Sequence, residues 1–312
     1  LWRIEEYFSD YDRFGDVCRS YQKVQADFNH FVKAHSRRGK MVNPVALLHG
    51  QYDGWVCFTR QNAWAHLGDD WKFDTPEESW DLIKVFYPDS VMDSLYLHPC
   101  ENKPQGFYSR TPYGTVDVLP VEAEGKLMDT YSAAAFLGWN TAEPGQLEKL
   151  AAYVNQGGTL LLGWPHLFTD TNRVSAIHGE PTLVDARLIR ELAGITFQGF
   201  VKAQTAQGET VTLGNVQLQD SVAVRSTLHG IPLVLEHPIG NGRGLFVNAR
   251  EYPAAPGVRE IYESLLREIG ETGVASQAQR GWMVTRDTVD TGVFDREDGL
   301  RDIYAININW WS

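Results

Sequence analysis

One segment of the sequence, residues 144–162, restricts the possible folds of this chain more than any other. Its apolar side chains recur with the spacing of one helix face: Leu147, Leu150, Ala151 and Val154. The pair Gly157-Gly158 is typical of a helix end, and a short apolar run from Thr159 to Leu162 follows at once. With the apolar run at residues 133–137 before it, this spacing predicts a strand, helix and parallel strand, a right-handed βαβ unit.

The same alternation extends over residues 42–273. Buried strands are predicted at 45–48 and 115–119, and helical segments at 76–86, 125–129, 185–193 and 258–269, with Thr75 as an N-cap. After Pro181 the pattern predicts antiparallel strands at 195–200, 209–218 and 222–225, and a hairpin of 233–236 with 244–247 around Gly240. The sequence therefore predicts an α/β fold, a doubly wound and mostly parallel sheet with an antiparallel extension.

Both ends of the chain carry a different pattern. Residues 4–32 have the apolar spacing of a long amphipathic helix, and residues 303–311 are typical of a strand. Residues 286–298 are its candidate hairpin mate, with a turn at Glu297-Asp298-Gly299. We therefore expect three parts: a helical linker at 1–41, the α/β domain at 42–275, and the first strands of a β-sandwich at 276–312. A small sheet packed on the main domain is the alternative for the last part.

Charge and cysteine content exclude several classes of protein. A net charge of −12 over 312 residues disfavours nucleic-acid binding, and the one basic cluster, at residues 37–40, lies at a predicted helix end. Three widely spaced cysteines indicate neither a disulfide framework nor a zinc site. Because no apolar run reaches the length of a membrane span and no signal peptide is visible, we expect no membrane partner and a cytoplasmic location.

Polar and aromatic residues follow three predicted strands of the sheet. Parallel strands place their carboxyl ends at one edge, where ligands of such sheets bind. Flat rings cover the apolar faces of sugars, and Arg, Asn and Asp side chains bond their hydroxyls, so these residues predict carbohydrate contact. The candidate binding residues are Tyr52, Asp53, Trp55, Arg60, Asn62, Trp64, Trp71, Trp139, Asn140, Trp164 and His166. Two alternatives remain for the aromatic loop, an oligomer interface and plain packing.

Three segments of the chain resemble a known family: residues 31–40, residues 45–55 (VALLHGQYDGW) and residues 136–164 (FLGWNTAEPGQLEKLAAYVNQGGTLLLGW). They resemble the glutamine-amidotransferase-like domain of glycoside hydrolases and phosphorylases, in particular the trimerisation domain of family 42 β-galactosidases. The resemblance covers residues 28–270 and implies a class I amidotransferase-like (flavodoxin-like) sheet. It also implies a preceding (β/α)8 barrel that holds the catalytic carboxylates, a following β-sandwich, a galactoside-type ligand and a homo-oligomer, trimer or dimer.

Other chemistries lack the residues that they require. An amidotransferase needs a nucleophilic cysteine at a strand-to-helix elbow, but residues 163–167 contain neither Cys nor Ser, and Cys57 lacks the flanking glycines. The glycines at 240–244 open no helix that could hold a phosphate, no two acids are marked as a glycosidase pair, and the histidines are scattered. We therefore expect no catalytic residue, metal or cofactor in this chain, and interpret it as a non-catalytic part of a larger glycoside hydrolase. A stand-alone carbohydrate-binding or oligomerisation module and a degenerate amidotransferase-like enzyme using Cys57 are the alternatives.

Overall fold

The computed structural model describes residues 16–35, 39–51, 53, 75–87, 113–172, 179–279 and 289–307. The chain divides into two compact units, residues 1–42 with 293–304, and residues 43–292 with 305–312. The described helices are α1 Asp16–Ala34, α2 Thr75–Glu78, α3 Gly125–Met128, α4 Pro144–Asn155, α5 Ala186–Ala193 and α6 Arg259–Gln279. Two 3-10 segments occur at Ser79–Val85 and Trp164–Leu167. The strands are β1 Lys40–Met41, β2 Val45–His49, β3 Val116–Pro120, β4 Ala133–Phe136, β5 Thr159–Gly163, β6 Ile195–Gln204, β7 Thr210–Leu218, β8 Ala223–Leu228, β9 Ile231–Ile239, β10 Gly242–Val247, β11 Val289–Asp295 and β12 Arg301–Asn307.

The smaller unit contains α1, β1 and parts of β11 and β12, and these three strands form a sheet of order β1-β11-β12. The helix confirms the amphipathic pattern over its length, and residues 4–15 of that prediction lie outside the described residues. Four apolar side chains of α1 are exposed: Val24, Phe28, Phe31 and Val32. The predicted hairpin mate of the last strand is β11, closed by Arg296 N–H donating to Leu300 O at 2.8 Å. The third strand, β1, was not predicted, because two residues are too short to carry a pattern.

The larger unit is built on a seven-stranded sheet of order β3-β2-β4-β5-β10-β9-β8. Each neighbouring pair from β3 to β10 is parallel, and β9 runs antiparallel to both β10 and β8. Counted along the chain, the five parallel strands have the order 2-1-3-4-5, which is a common order of doubly wound sheets. The α/β prediction with a mostly parallel sheet and an antiparallel extension is confirmed.

Alternate residues of each strand enter opposite cores, because successive side chains of a strand point to opposite faces. Leu48 of β2 packs in one core with Leu147 and Leu188, which come from α4 and α5. Leu47 packs in the other core with Tyr262 and Leu266 of α6. Both faces of the sheet are therefore covered by helices, which is why its central strands are continuous apolar runs.

Three predictions for individual elements need correction. The helix predicted at 76–86 is an α-helix only over Thr75–Glu78 and continues as a 3-10 helix, so Thr75 is its first residue rather than a cap. In 3-10 geometry residues three apart share a face, and Ser79 and Leu82 are both buried. The strands β6 and β7 form a separate two-stranded sheet, and the antiparallel extension consists of β9 and β8.

The third correction concerns α6, which continues ten residues beyond its predicted end, and past the boundary that we expected at residue 275. Gly270 and Gly273 resemble helix stops in the sequence. In the structure they allow close packing instead, since a Cβ on Gly273 would lie 2.8 Å from Val45 Cγ2. Among the described residues, no helix is long and apolar enough to cross a membrane.

Candidate functional site

The carboxyl ends of β2, β4 and β5 lie side by side, as the sequence predicted. Gly50 N–H, just after β2, donates to Trp139 O at 2.9 Å. Asn140 Nδ2 donates to His166 O at 2.9 Å and joins the end of β4 to the turn after β5. The strand order reverses between β2 and β4, and ligands of open α/β sheets bind at this switch point. The structure thus brings together Asp53, Trp139, Asn140, Trp164 and His166, all of them buried.

Asp53 is held at the switch point by close packing. Its Oδ2 accepts a hydrogen bond from Trp80 Nε1 at 3.1 Å, and Trp80 comes from the 3-10 segment after α2. A Cβ on Gly138 would collide with the Asp53 carboxylate. Glycine at position 138 therefore lets the carboxylate approach the backbone at the end of β4.

His166 is fully buried and neutral. Its Nδ1 accepts a hydrogen bond from Gly163 N–H at 3.0 Å, so the ring proton lies on Nε2. The ring stacks on Phe136 with a centroid distance of 4.9 Å. Desolvation by burial lowers the pKa of His166 to about 3, from its ordinary value of 6.5.

Trp164 lies in the hydrophobic core and has no exposed surface. Its Nε1 donates to Asn248 Oδ1 at 2.7 Å, and its ring packs against Phe197, Phe200 and Phe246. A sugar that stacked on this indole would have to displace core side chains. Within residues 163–167, the position that an amidotransferase would give to its nucleophile holds Pro165, and the neighbouring Trp164 is a core side chain.

The residues that follow β10 reach the same edge, and we did not predict them from the sequence. Asn248 is fully buried, and its Nδ2 donates to Gly214 O at 2.8 Å and to Pro232 O at 2.7 Å. Tyr252 packs edge-on to His166 at 6.2 Å and contacts Trp139. The available signal was the run Gly244–Val247, which we treated only as half of a hairpin, whereas β10 also pairs in parallel with β5.

Glu251 is a largely buried acid behind this edge. Its Oε1 accepts from Thr212 N–H at 2.7 Å, and desolvation by burial raises the pKa of its carboxyl group. Desolvation, together with the nearby Glu251 charge, also raises the pKa of Tyr262. An acid with a raised pKa resembles a proton donor, and a glycosidase would require a second carboxyl group about 5–10 Å from it.

The remaining predicted binding residues lie outside the described residues. They are Tyr52, Trp55, Arg60, Asn62, Trp64 and Trp71, and Cys57 lies there as well. Within the described parts of the chain, no group of three or more His, Cys, Asp or Glu side chains is placed to hold a metal ion.

No protein-family model matches the sequence, and no curated protein matches it. Among solved structures, the chain is similar to the β-galactosidase from Bacillus circulans sp. alkalophilus, with a TM-score of 0.49 and 13% identity over 94% of this chain and 39% of that chain. It is similar to the β-galactosidase from Rahnella sp. R3, with a TM-score of 0.48 and 12% identity over 94% of this chain and 40% of that chain. A third similar structure is a GH42 β-galactosidase from G. stearothermophilus, with a TM-score of 0.47 and 12% identity over 93% of this chain and 38% of that chain.

The chain therefore spans about two fifths of the length of these solved structures. All three are β-galactosidases, and the one from G. stearothermophilus is a GH42 enzyme. At this level of identity the likeness concerns the fold alone.

Proposed function

We propose that this chain is the non-catalytic, amidotransferase-like part of a larger glycoside hydrolase of the β-galactosidase type. In this proposal the chain supplies an oligomer contact and an aromatic loop at a sugar-binding pocket. The substrate class comes from the resemblance of residues 31–40, 45–55 and 136–164 to family 42 β-galactosidases. The preceding (β/α)8 barrel, which would hold the catalytic carboxylates, and the following β-sandwich belong to the same proposal.

The observation that carries the proposal is the chemistry of the switch-point edge. A sheet with the 2-1-3-4-5 order offers a ligand site at this edge, and an amidotransferase would place its nucleophile after β5. Here the residue after β5 is Trp164, whose side chain is buried and bonded to Asn248. This edge of the sheet is therefore the position where the fold binds ligands, and the turn after β5 supplies no nucleophile there.

The sugar contact is assigned to residues 52–71, which follow β2 in the sequence. Asp53 anchors the start of this segment through its bond to Trp80. The aromatic and polar side chains of the segment, Tyr52, Trp55, Arg60, Asn62, Trp64 and Trp71, would then cover the faces of a galactoside and bond its hydroxyls. The same residues could also lie at an oligomer interface, because a sugar-binding pocket can be closed by residues of a neighbouring subunit.

The exposed apolar face of α1 supports an oligomer or domain contact. Val24 and Phe28 are exposed by 63% and 61%, and Phe31 and Val32 extend the same surface. Contiguous exposed apolar side chains mark interaction surfaces in soluble proteins. We assign this face to the preceding barrel or to another copy of the chain in a trimer or dimer.

We propose the predicted domain division with a single change. Residues 1–41 would link the barrel to the α/β domain, and the α/β domain would continue to Gln279, where α6 ends. The sandwich would then begin after this helix, with β11 and β12 among its strands.

Hydrolysis of 4-nitrophenyl β-D-galactoside tests the proposal. Residues 1–312 should show no turnover above buffer, whereas the complete native gene product should hydrolyse the substrate. Turnover by residues 1–312 at an enzyme-like rate, about 1 s⁻¹ or more, would contradict the absence of a complete active site.

A second candidate, a stand-alone carbohydrate-binding or oligomerisation module, is favoured by one observation. The larger unit has a helix-covered sheet with a core on each face, as an independently folding domain does. A native gene product without a barrel, together with galactose binding by residues 1–312, would favour this candidate. Glutamine hydrolysis that is lost in Cys57→Ala would instead support the degenerate amidotransferase.

A further inference from the structure

A polar cavity lies beside the last turn of α5, away from the switch point. Its volume is about 600 Å³, and it is lined by Arg190, Thr196 and residues 217–221. Small-molecule sites typically have volumes of roughly 300–1,000 Å³. His237, whose ring contacts Ser221 in the lining, pairs with Gly244 near the start of β10. The cavity therefore lies towards the amino ends of the parallel strands.

The walls of the cavity are joined by hydrogen bonds. The turn from β7 to β8 is fixed to the end of α5, since Gln219 N–H donates to Gly194 O at 2.9 Å and Gln219 Nε2 donates to Arg190 O at 3.4 Å. Thr196 and Gln217 face each other in the pairing of β6 with β7. Three elements are thus held together around the cavity, and a ligand would not have to order them.

A buried histidine adjoins the lining without adding a charge. Ser221 Oγ lies 3.4 Å from His237 Nδ1, within hydrogen-bond distance. His237 is 8% exposed, and desolvation by burial lowers its pKa, so the ring is neutral at neutral pH. The charged groups of the lining are therefore the Arg190 guanidinium and the Asp220 carboxylate.

These two charges line one cavity without pairing. Among the described residues, Arg190 and Asp220 form an ion pair neither with each other nor with another side chain. Arg187, one turn earlier in α5, pairs with Glu148 at 3.2 Å and with Glu191 at 3.6 Å. The charges of Arg190 and Asp220 are therefore both available to a ligand.

The chemistry of the lining restricts the ligand. An anion would meet the Asp220 carboxylate, and a cation would meet the Arg190 guanidinium. A sugar would find no aromatic ring for its apolar face, because Leu218 is the one apolar side chain of the lining. A small molecule with one positive and one negative charge matches both groups, and hydroxyls and amides around them suit further polar atoms.

We propose that this cavity binds a free α-amino acid, with its carboxylate at Arg190 and its ammonium group at Asp220. The hydroxyls of Thr196 and Ser221 and the amide of Gln217 would bond a polar side chain of the ligand. This site lies beyond the proposed function and does not depend on it, since it needs neither a galactoside nor a barrel.

Isothermal titration calorimetry of residues 1–312 at pH 7 tests the proposal with three ligands. L-Serine carries both charges, ethanolamine lacks the carboxylate, and 3-hydroxypropanoate lacks the ammonium group. L-Serine should bind saturably, and each analogue should bind at least about fivefold more weakly, because one charge-assisted hydrogen bond is lost. Titration at two temperatures separates absent binding from binding with zero enthalpy at one of them.

Two variants assign the charges by crossed effects. Asp220→Asn should remove the preference for L-serine over 3-hydroxypropanoate and keep the preference over ethanolamine. Arg190→Gln should do the reverse, and a general loss of folding would not produce this crossed pattern. Arg187→Gln is the matched control, because it removes an exposed arginine of the same helix that does not line the cavity. Its affinity for L-serine should equal that of the wild type.

Three results would overturn the proposal. No saturable binding of L-serine would refute the site, and equal affinity for 3-hydroxypropanoate would show a plain anion site. Binding of L-serine that is unchanged in both Asp220→Asn and Arg190→Gln would place the ligand elsewhere. None of these results bears on galactoside hydrolysis, so a failure of this site is distinguishable from a failure of the proposed function.

Discussion

Replacing Trp164 by alanine tests whether this residue of the turn after β5 belongs to the core. The side chain has no exposed surface, packs on three phenylalanines and donates to Asn248 Oδ1. Truncation of a buried tryptophan costs about 3–5 kcal/mol, and an Asn248 oxygen left without its donor adds roughly 1–3 kcal/mol. Because neighbouring effects are not fully additive, we expect Trp164→Ala to lower the free energy of unfolding by about 4–6 kcal/mol.

Urea unfolding followed by far-ultraviolet circular dichroism measures this loss, provided that the slope of the transition is unchanged. Leu127→Ala on α3 is the matched control, since that side chain is 42% exposed and should change stability by no more than about 0.5 kcal/mol. A loss below about 1 kcal/mol in Trp164→Ala would refute the core assignment and return this indole to the candidate sugar-binding residues.

Three further predictions concern titration and backbone conformation. The pKa of His166 is about 3 in the folded protein and 6.5 ordinarily, so the unfolded chain binds more protons between these two pH values. The free energy of unfolding therefore falls as the pH drops below 6.5, by up to about 1.4 kcal/mol per pH unit. His166→Gln should flatten this part of the pH dependence of the urea midpoint, and an unchanged slope would show that the histidine is not buried as described. Burial raises the pKa of Glu251, so its charge opposes folding at neutral pH. In thermal unfolding at pH 7, Glu251→Gln should therefore be as stable as the wild type or more stable. A marked loss of stability in this variant would contradict the prediction. Gly194 has φ 67°, and a Cβ at this position would lie 2.9 Å from His237 Nδ1, whereas Gly230 has φ 81° and open space around it. Gly194→Ala should therefore lower the melting temperature more than Gly230→Ala does. Equal losses would indicate that only the backbone angle matters.

The central strands and α4 were predictable because their buried positions are occupied by apolar residues in a regular pattern. Both faces of β2, β4 and β5 are covered, so each strand is a continuous apolar run, and one face of α4 carries all of its apolar spacing. Elements whose form depends on distant contacts were missed or misjudged. The glycines of α6 serve helix packing and the two residues of β1 are defined only by their pairing with β11.

The position of the site at one edge of the sheet was predictable from the sequence, and the orientation of its side chains was not. Parallel strands must bring their carboxyl ends together, so Trp139, Asn140 and His166 could be assigned to one edge from spacing alone. Whether an aromatic side chain after a strand turns outwards or into the core depends on the turn, and the 3-10 turn that begins at Trp164 carries the indole into the core. The partners that fix this arrangement, Asn248 and Tyr252, follow a strand whose parallel pairing with β5 no local pattern reveals.

The mass and assembly of the complete native gene product show whether residues 1–312 are part of a larger glycoside hydrolase. Intact-mass spectrometry and size-exclusion light scattering would be applied to the native product and to residues 1–312. We expect a native polypeptide that is longer by at least a barrel of about 250 residues and that forms a trimer or dimer. A native product of 312 residues that is a monomer in solution would contradict this proposal, and residues 52–71 would then be the first place to look for an independent active site.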